Sequence, residues 1–145
     1  MSVEPFLEEQ TVDRTGPEPP KQEPLDILRV ASDVYPDVVG GLSLHVHEMS
    51  QLQAEWGHEV TVLTSDHGQR DRPKTEVREG YELIRHRQIA KPLDNSIAPG
   101  LVKSVLEMAD EYDVVHAHSH LFFSTNVAAV LSRRFDTPLI VTAMG

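Results

Sequence analysis

The spacing of apolar residues changes period along the chain. Residues 27–31, Ile-Leu-Arg-Val-Ala, form a short and mostly apolar run, which predicts a strand buried in a parallel sheet. From Leu42 the apolar positions Leu42, Val46, Met49, Leu52 and Trp56 recur at three- and four-residue steps, marking one helical face. Ser43 is a candidate N-cap for that helix, and Gly57 stands where a left-handed C-terminal cap is expected. Residues 59–64 predict a second strand. A polar loop with Pro73 follows, then a third strand over 81–86. Between the loop prolines Pro92 and Pro99 and the next strand, Ile97, Leu101, Val105, Leu106 and Ala109 mark a second helix. Residues 114–118 read as a fourth strand, 122–135 as a third helix and 138–142 as a fifth strand. Alternating strands and helices with short apolar strands predict an α/β domain built on a doubly wound parallel sheet.

Composition narrows the picture. A length of 145 residues is that of one domain, and the formal net charge of −10 argues against nucleic acid as a partner. Without cysteine there is no disulfide framework and no thiolate zinc site. No signal-peptide pattern and no apolar run of membrane-spanning length occurs, so a cytoplasmic location is expected. The charge is unevenly placed. Residues 1–26 hold seven acids against Arg14 and Lys21, which is half of the net charge, and five of the ten prolines. Such a segment buries too little apolar surface to offset its ordering entropy, so residues 1–25 are expected to form a disordered acidic leader before a domain spanning 26–145.

In doubly wound sheets ligands bind beyond the carboxyl ends of the strands. Residues 33–41, 65–68, 116–120 and 143–145 all fall there. Gly40-Gly41 directly before a helix suits a phosphate cradle: glycine admits close backbone approach, and the free amides and helix dipole favour an anion. A plain tight turn would use the same pair. The GxGxxG fingerprint and the Walker A sequence are absent. His116, His118 and His120 alternate and so share one face of an extended chain. They could serve as a three-histidine metal site, as ligand-binding or catalytic imidazoles, or as structural groups bonded to backbone. Neighbouring residues on one strand seldom wrap a tetrahedral ion, so no metal is expected. His45 and His47 occupy the first turn of the first helix on different sides, and His47 is read as solvated surface. Arg70, Arg72, Lys74, Arg78, Arg85, Arg87 and Lys91 concentrate positive charge that could receive an anionic acceptor, phosphate or lipid head group. Interleaved Asp71, Glu76, Glu79 and Glu82 favour a mixed-charge solvated face over that role.

Residues 33–64, DVYPDVVGGLSLHVHEMSQLQAEWGHEVTVLT, resemble the start of a retaining GT-B glycosyltransferase of the family-4 type. The family's "YPP…GG" loop is matched by Tyr35-Pro36 and Gly40-Gly41, its "GG-x3-H-V" helix start by His45-Val46, and its "GHEVTVLT" strand by residues 57–64. DVVHAHS at 113–119 resembles the fourth strand, and PLIVTAMG at 138–145 the fifth, usually "PLVVTxHG". The resemblance covers residues 26–145. It implies a Rossmann-like, acceptor-side domain, with Gly40 and Gly41 near the donor diphosphate and His118 as the active-site imidazole near the transferred sugar. Tyr35, His45, His116, Ser119, Arg70 and Arg72 would lie toward the acceptor. The implied co-substrate is a nucleotide-sugar, without cofactor or essential metal. The acceptor would be a sugar, lipid or small molecule, and a C-terminal GT-B domain would be the partner. Met144 replaces the family's usual fifth-strand histidine, and Gln53 its usual leucine, the latter read as a minor change. The Glu-x7-Glu motif of the donor-binding second domain is absent from the 145 residues, so the chain alone is expected to be inactive. Two alternatives stay open: a non-catalytic remnant or split half that binds acceptor or pairs with a separate C-terminal half, and a flavodoxin-like binding module.

Overall fold

The apolar run at the start of the domain forms β1, Asp26–Val30, buried on both faces except at Asp26. The computed structural model describes residues 23–118 and 123–143. Nearly all of the expected acidic leader lies outside the described residues, as do Ser119, His120 and Met144. Strand β1 leads through a loop into α1, Gly41–Glu55, and then into β2, Glu59–Ser65. Strands β3, Thr75–Arg78, and β4, Tyr81–His86, follow. Helix α2 covers Pro99–Met108, β5 Val114–His118, α3 Phe123–Leu131 and β6 Leu139–Thr142.

The six strands form one sheet in the order β3-β4-β2-β1-β5-β6. All neighbours run parallel except β3, which pairs antiparallel with β4. Strand β3 is the element that the hydrophobic pattern misses. Its residues alternate between exposed and half-buried, and at the sheet edge its polar side chains need no apolar partner. Helix α2 also begins later than its apolar spacing suggests. Pro99 opens it, while Ile97 forms a bridge with Ala90 in the preceding loop.

Helices on opposite faces split the core in two. Leu28, Val30, Leu63, Val115 and Ala117 point toward α2 and α3, where Leu101, Val105 and Ala128 meet them. Ile27, Ala31, Val62 and Leu83 point toward α1, where Val46 meets them. Alternation along β1 and β5 therefore sends Arg29, His116 and His118 to the α1 face. That face is the polar one. The fully buried positions of α1 are Ser43, Val46 and Ser50, while Leu42, Met49, Leu52 and Trp56 are half-buried.

Gly57 caps α1 as the sequence suggests. It has φ +95°, its amide bonds the Ala54 carbonyl, and the His58 amide bonds the Gln53 carbonyl, closing the helix end. Glu79 and Gly80, both with positive φ, turn β3 into β4. A Cβ on Gly80 would stand 3.3 Å from the Ala54 Cβ. Gly80→Ala should therefore cost about 1–2 kcal/mol in chemical denaturation, combining backbone strain with crowding of α1. An unchanged midpoint would contradict this.

Candidate functional site

The chain leaves β1 and β5 in opposite directions across the sheet, so the crevice between their carboxyl ends is the topological switch point. Helix α1 begins beside it. Gly40 is the N-cap, no side chain caps the helix, and its first turn holds no acid. The terminal amides and the positive end of the dipole could therefore receive an anion. A Cβ at Gly41 would meet nothing within 4 Å, and at Gly40 only the Ser43 Oγ at 3.8 Å. The protein's own packing does not demand these glycines; they keep the backbone open. Ser43 is not the N-cap that its position suggests. It is buried in the first turn, and its hydroxyl donates to the Gly40 carbonyl at 2.9 Å.

Below this helix end lies a buried polar cluster. Arg29, with 0% of its surface exposed, donates from Nε to His118 Nε2 at 3.0 Å, from Nη1 to Ser50 Oγ at 2.8 Å and from Nη2 to Gln53 Oε1 at 2.5 Å. The same Nη2 approaches His116 Nδ1 at 3.3 Å, and His116 Nε2 meets Thr142 Oγ1 at 2.6 Å. The His116 and His118 ring centroids lie 4.1 Å apart, and the half-buried His45 ring packs edge-on to His118 at 5.9 Å. A guanidinium Nε always carries hydrogen, so His118 Nε2 must accept. The neutral ring then holds its proton on Nδ1, which is buried and has no hydrogen-bond partner among the described residues.

Every partner of Arg29 in this cluster is neutral. Burial, only slightly offset by Tyr81, lowers its guanidinium to about 10. His118 falls to about 2 through burial first and then through the charges of His116, Arg29 and His45. Burial, followed by Arg29 and His45, lowers His116 to about 4. Both imidazoles are neutral at physiological pH. With a guanidinium occupying their nitrogens they are poor metal ligands, and among the described residues no cluster of three or more His, Cys, Asp or Glu could hold an ion.

A second network fixes the loop that carries the glycines. Asp37, in the β1–α1 loop, accepts from Arg85 Nε at 2.8 Å, Arg78 at 3.0 Å and Arg72 at 3.1 Å. Glu76 bridges Arg85 and Arg78 from the other side. Burial alone would raise the Asp37 carboxyl, but hydrogen bonds and charge from Arg85 and Arg78 outweigh it and hold the group below the usual carboxylate range. On the far side of the loop, His67 Nε2 joins the Asp33 carboxylate at 3.0 Å and the Ser32 carbonyl at 2.8 Å.

Comparison with known proteins shows the family of the chain. The profile of glycosyltransferase family 4 matches residues 39–143. This chain belongs to glycosyltransferase family 4. It is 30% identical over 139 residues to a glycogen synthase of Mycobacterium tuberculosis, covering 80% of this chain and 32% of that protein. It is 32% identical over 107 residues to a D-inositol 3-phosphate glycosyltransferase of Catenulispora acidiphila, covering 70% and 25%. A glycosyltransferase of Methanocaldococcus jannaschii is 29% identical over 128 residues, covering 83% and 32%. The chain thus spans a third or less of the length of these relatives. Family membership sets aside the flavodoxin-like alternative.

Within the glycosyltransferase domain, Gly40, Gly41, His45, His116 and His118 converge at the switch point. Tyr35 stands in the neighbouring loop, half-exposed, its ring 5.8 Å from that of His47. His47 is not solvated surface, because its Nδ1 meets the Tyr81 hydroxyl at 2.8 Å. Arg72 is committed to Asp37 rather than open to an acceptor, while Arg70 lines a separate groove beyond β2 and β4. Ser119 is outside the described residues. Among the described residues no helix is long and apolar enough to cross a membrane. Sequence reasoning missed Arg29 and Asp37, and it read Gln53 as minor. The signal for Arg29 is present: a charge inside an apolar parallel-strand run must find buried partners, and Gln53 is one of them.

Proposed function

We propose that this chain is the acceptor-side half of a retaining GT-B glycosyltransferase, moving a sugar from a nucleotide-sugar donor to a sugar, lipid or small-molecule acceptor. The observation that carries this reading is the convergence, at the switch point, of the uncapped α1 N-terminus with the Arg29–His118 pair. Gly40 and Gly41 would receive the donor diphosphate, whose negative charge grows as the sugar departs, and fixed amides stabilise that charge without reorganising. His118, with its hydrogen directed to Nδ1, would donate to the transferred sugar and not act as a base. Since His118 has no exposed surface, contact would require a neighbouring side chain to move, and the adjoining His45 ring is one candidate. No cofactor and no essential metal is required in this scheme.

The match to a third or less of its relatives favours a cleft completed by a second, donor-binding domain, on this polypeptide or on a separate one. The 145-residue chain should then give no turnover with a panel of UDP- and GDP-sugars and a panel of acceptors. It should still bind the donor diphosphate weakly. In 15N–1H spectra, UDP-glucose and GDP-mannose are expected to shift the Gly40 and Gly41 amides, and Gly41→Val to weaken that effect several-fold. Measurable turnover by the chain alone would overturn the two-domain reading, and unmoved Gly40 and Gly41 amides would overturn the donor assignment.

A further inference from the structure

Beyond the carboxyl ends of β2 and β4, on the α2 side of the sheet, lies a groove of about 440 Å³. Its walls carry more positive charge than the fold uses. Arg72 and Arg85, at its rim, are spent on Asp37. The side chains of Arg70, Lys74 and Arg87 have no carboxylate or hydrogen-bond partner among the described residues. The acids are fewer, Asp66 and Glu107 against Arg70, Lys74, Arg87 and Lys103. Asp66 accepts the Gly68 and Gln88 amides, and Glu107 faces Lys103 at 3.9 Å. An exposed pair at that distance neutralises little.

The groove floor is neutral and shaped. His86 Nδ1 donates to the Thr64 carbonyl at 3.0 Å, and its Nε2 accepts from the Ser104 hydroxyl at 2.8 Å. Both ring nitrogens are therefore occupied, and burial favours the neutral ring. Helix α2 opens into the groove with Pro99 in its first turn, no side-chain cap, and Gly100 among the lining residues. Like charges gathered on a concave wall repel one another and focus a positive potential that a counter-charge relieves. The helix end adds to that potential. Guanidinium forks and an ammonium around one hollow match the oxygens of a phosphate.

We propose that this groove is a phosphate-binding subsite that holds the phosphate of the acceptor, carried either by a soluble phospho-compound or by a phospholipid. The assignment to the acceptor rests on the transferase reading; the binding of phosphate does not. Helices α2 and α1 pack on opposite faces of the sheet, so their two N-terminal ends would hold separate anions.

The test uses the whole chain with inorganic pyrophosphate as probe, at low ionic strength, followed by amide shifts. Saturable shifts are expected at Gln69, Arg87 and Gly100, with affinity about tenfold weaker in the Arg70→Ala/Arg87→Ala double variant. Neither side chain supports the fold, so an unchanged thermal midpoint should verify folding. Co-sedimentation with phosphatidylglycerol vesicles, compared with phosphatidylcholine, separates the two sources. Retention that the double variant loses places the phosphate on a lipid; pyrophosphate binding without retention places it on a soluble acceptor. Binding equal in wild type and double variant, or absent, overturns the proposal, as does binding abolished by Gly41→Val. If the groove binds pyrophosphate and nucleotide-sugars move nothing at Gly40 and Gly41, the donor assignment fails and the phosphate subsite stands.

Discussion

Asp37→Ala is expected to destabilise the domain by about 3–5 kcal/mol, the cost of leaving buried charges without their partner. Three arginines converge on this carboxylate, and the Arg85 side chain is only 4% exposed. With Asp37 gone, Arg85 keeps Glu76 and the Pro73 carbonyl, and Arg78 keeps Glu76 and the Tyr35 carbonyl. Neither set matches the bidentate acceptor that is lost. Asp37→Asn retains an acceptor oxygen without the charge and should fall between wild type and alanine. The effect should also reach the site, because Asp37 ties the loop bearing Gly40 and Gly41 to the β3–β4 hairpin. Amide exchange at those glycines is expected to accelerate in the alanine variant under conditions where the core strands stay protected. A loss under about 1 kcal/mol would mean that the network behaves as an exposed ion pair.

Acidification from pH 7 to pH 5 is expected to lower stability steeply, and His118 is the largest identifiable source. Its folded-state pKa lies near 2, far below the value of a histidine in the unfolded chain. The unfolded chain therefore takes up the proton first. The contribution is complete above the unfolded value and is lost as pH falls toward the folded one. For a histidine that cannot protonate while folded, the loss at pH 5 is about 2 kcal/mol. His116 acts in the same direction, as does His86, which burial also lowers. His67 opposes them. Burial pulls it down, but the Asp33 carboxylate and the Ser32 carbonyl raise it overall, so its contribution is present at low pH and fades as pH rises. His118→Gln should flatten the stability profile between pH 7 and pH 5; parallel profiles would show that His118 is not its source. Imidazole 15N shifts give an independent check, since His118 should remain neutral with its hydrogen on Nδ1 down to pH 5.

These two networks mark where sequence reading stops. Val30, Val62 and Val115 announce buried strands because parallel sheets are apolar on both faces, and no distant residue is needed to interpret them. Gly40-Gly41 before a helix, and the alternation of His116 and His118, were likewise legible, because helix ends and strand faces are local geometry. Strand β3 was not, since Thr75, Glu76 and Arg78 look like a polar loop until β4 supplies the pairing partner. Arg72 illustrates the same limit. Among clustered bases it looks free, yet Asp37, 35 positions earlier, claims it.

The sequence by itself determined the order of strands and helices apart from β3, the glycine opening at α1 and the family to which the chain belongs. Each depends on neighbours within a turn or a strand, or on motifs kept in order along the chain. The tertiary structure decided which charges are spent and which are available. Arg29 lies 89 positions from His118 and 24 from Gln53, and only the packing of α1 over β1 and β5 joins them. That contact fixes the His118 proton on Nδ1, and the pairing of Arg72 and Arg85 with Asp37 leaves Arg70, Lys74 and Arg87 facing an open groove. Coulomb and hydrogen-bond partners are chosen by distance in space, which composition and spacing do not encode.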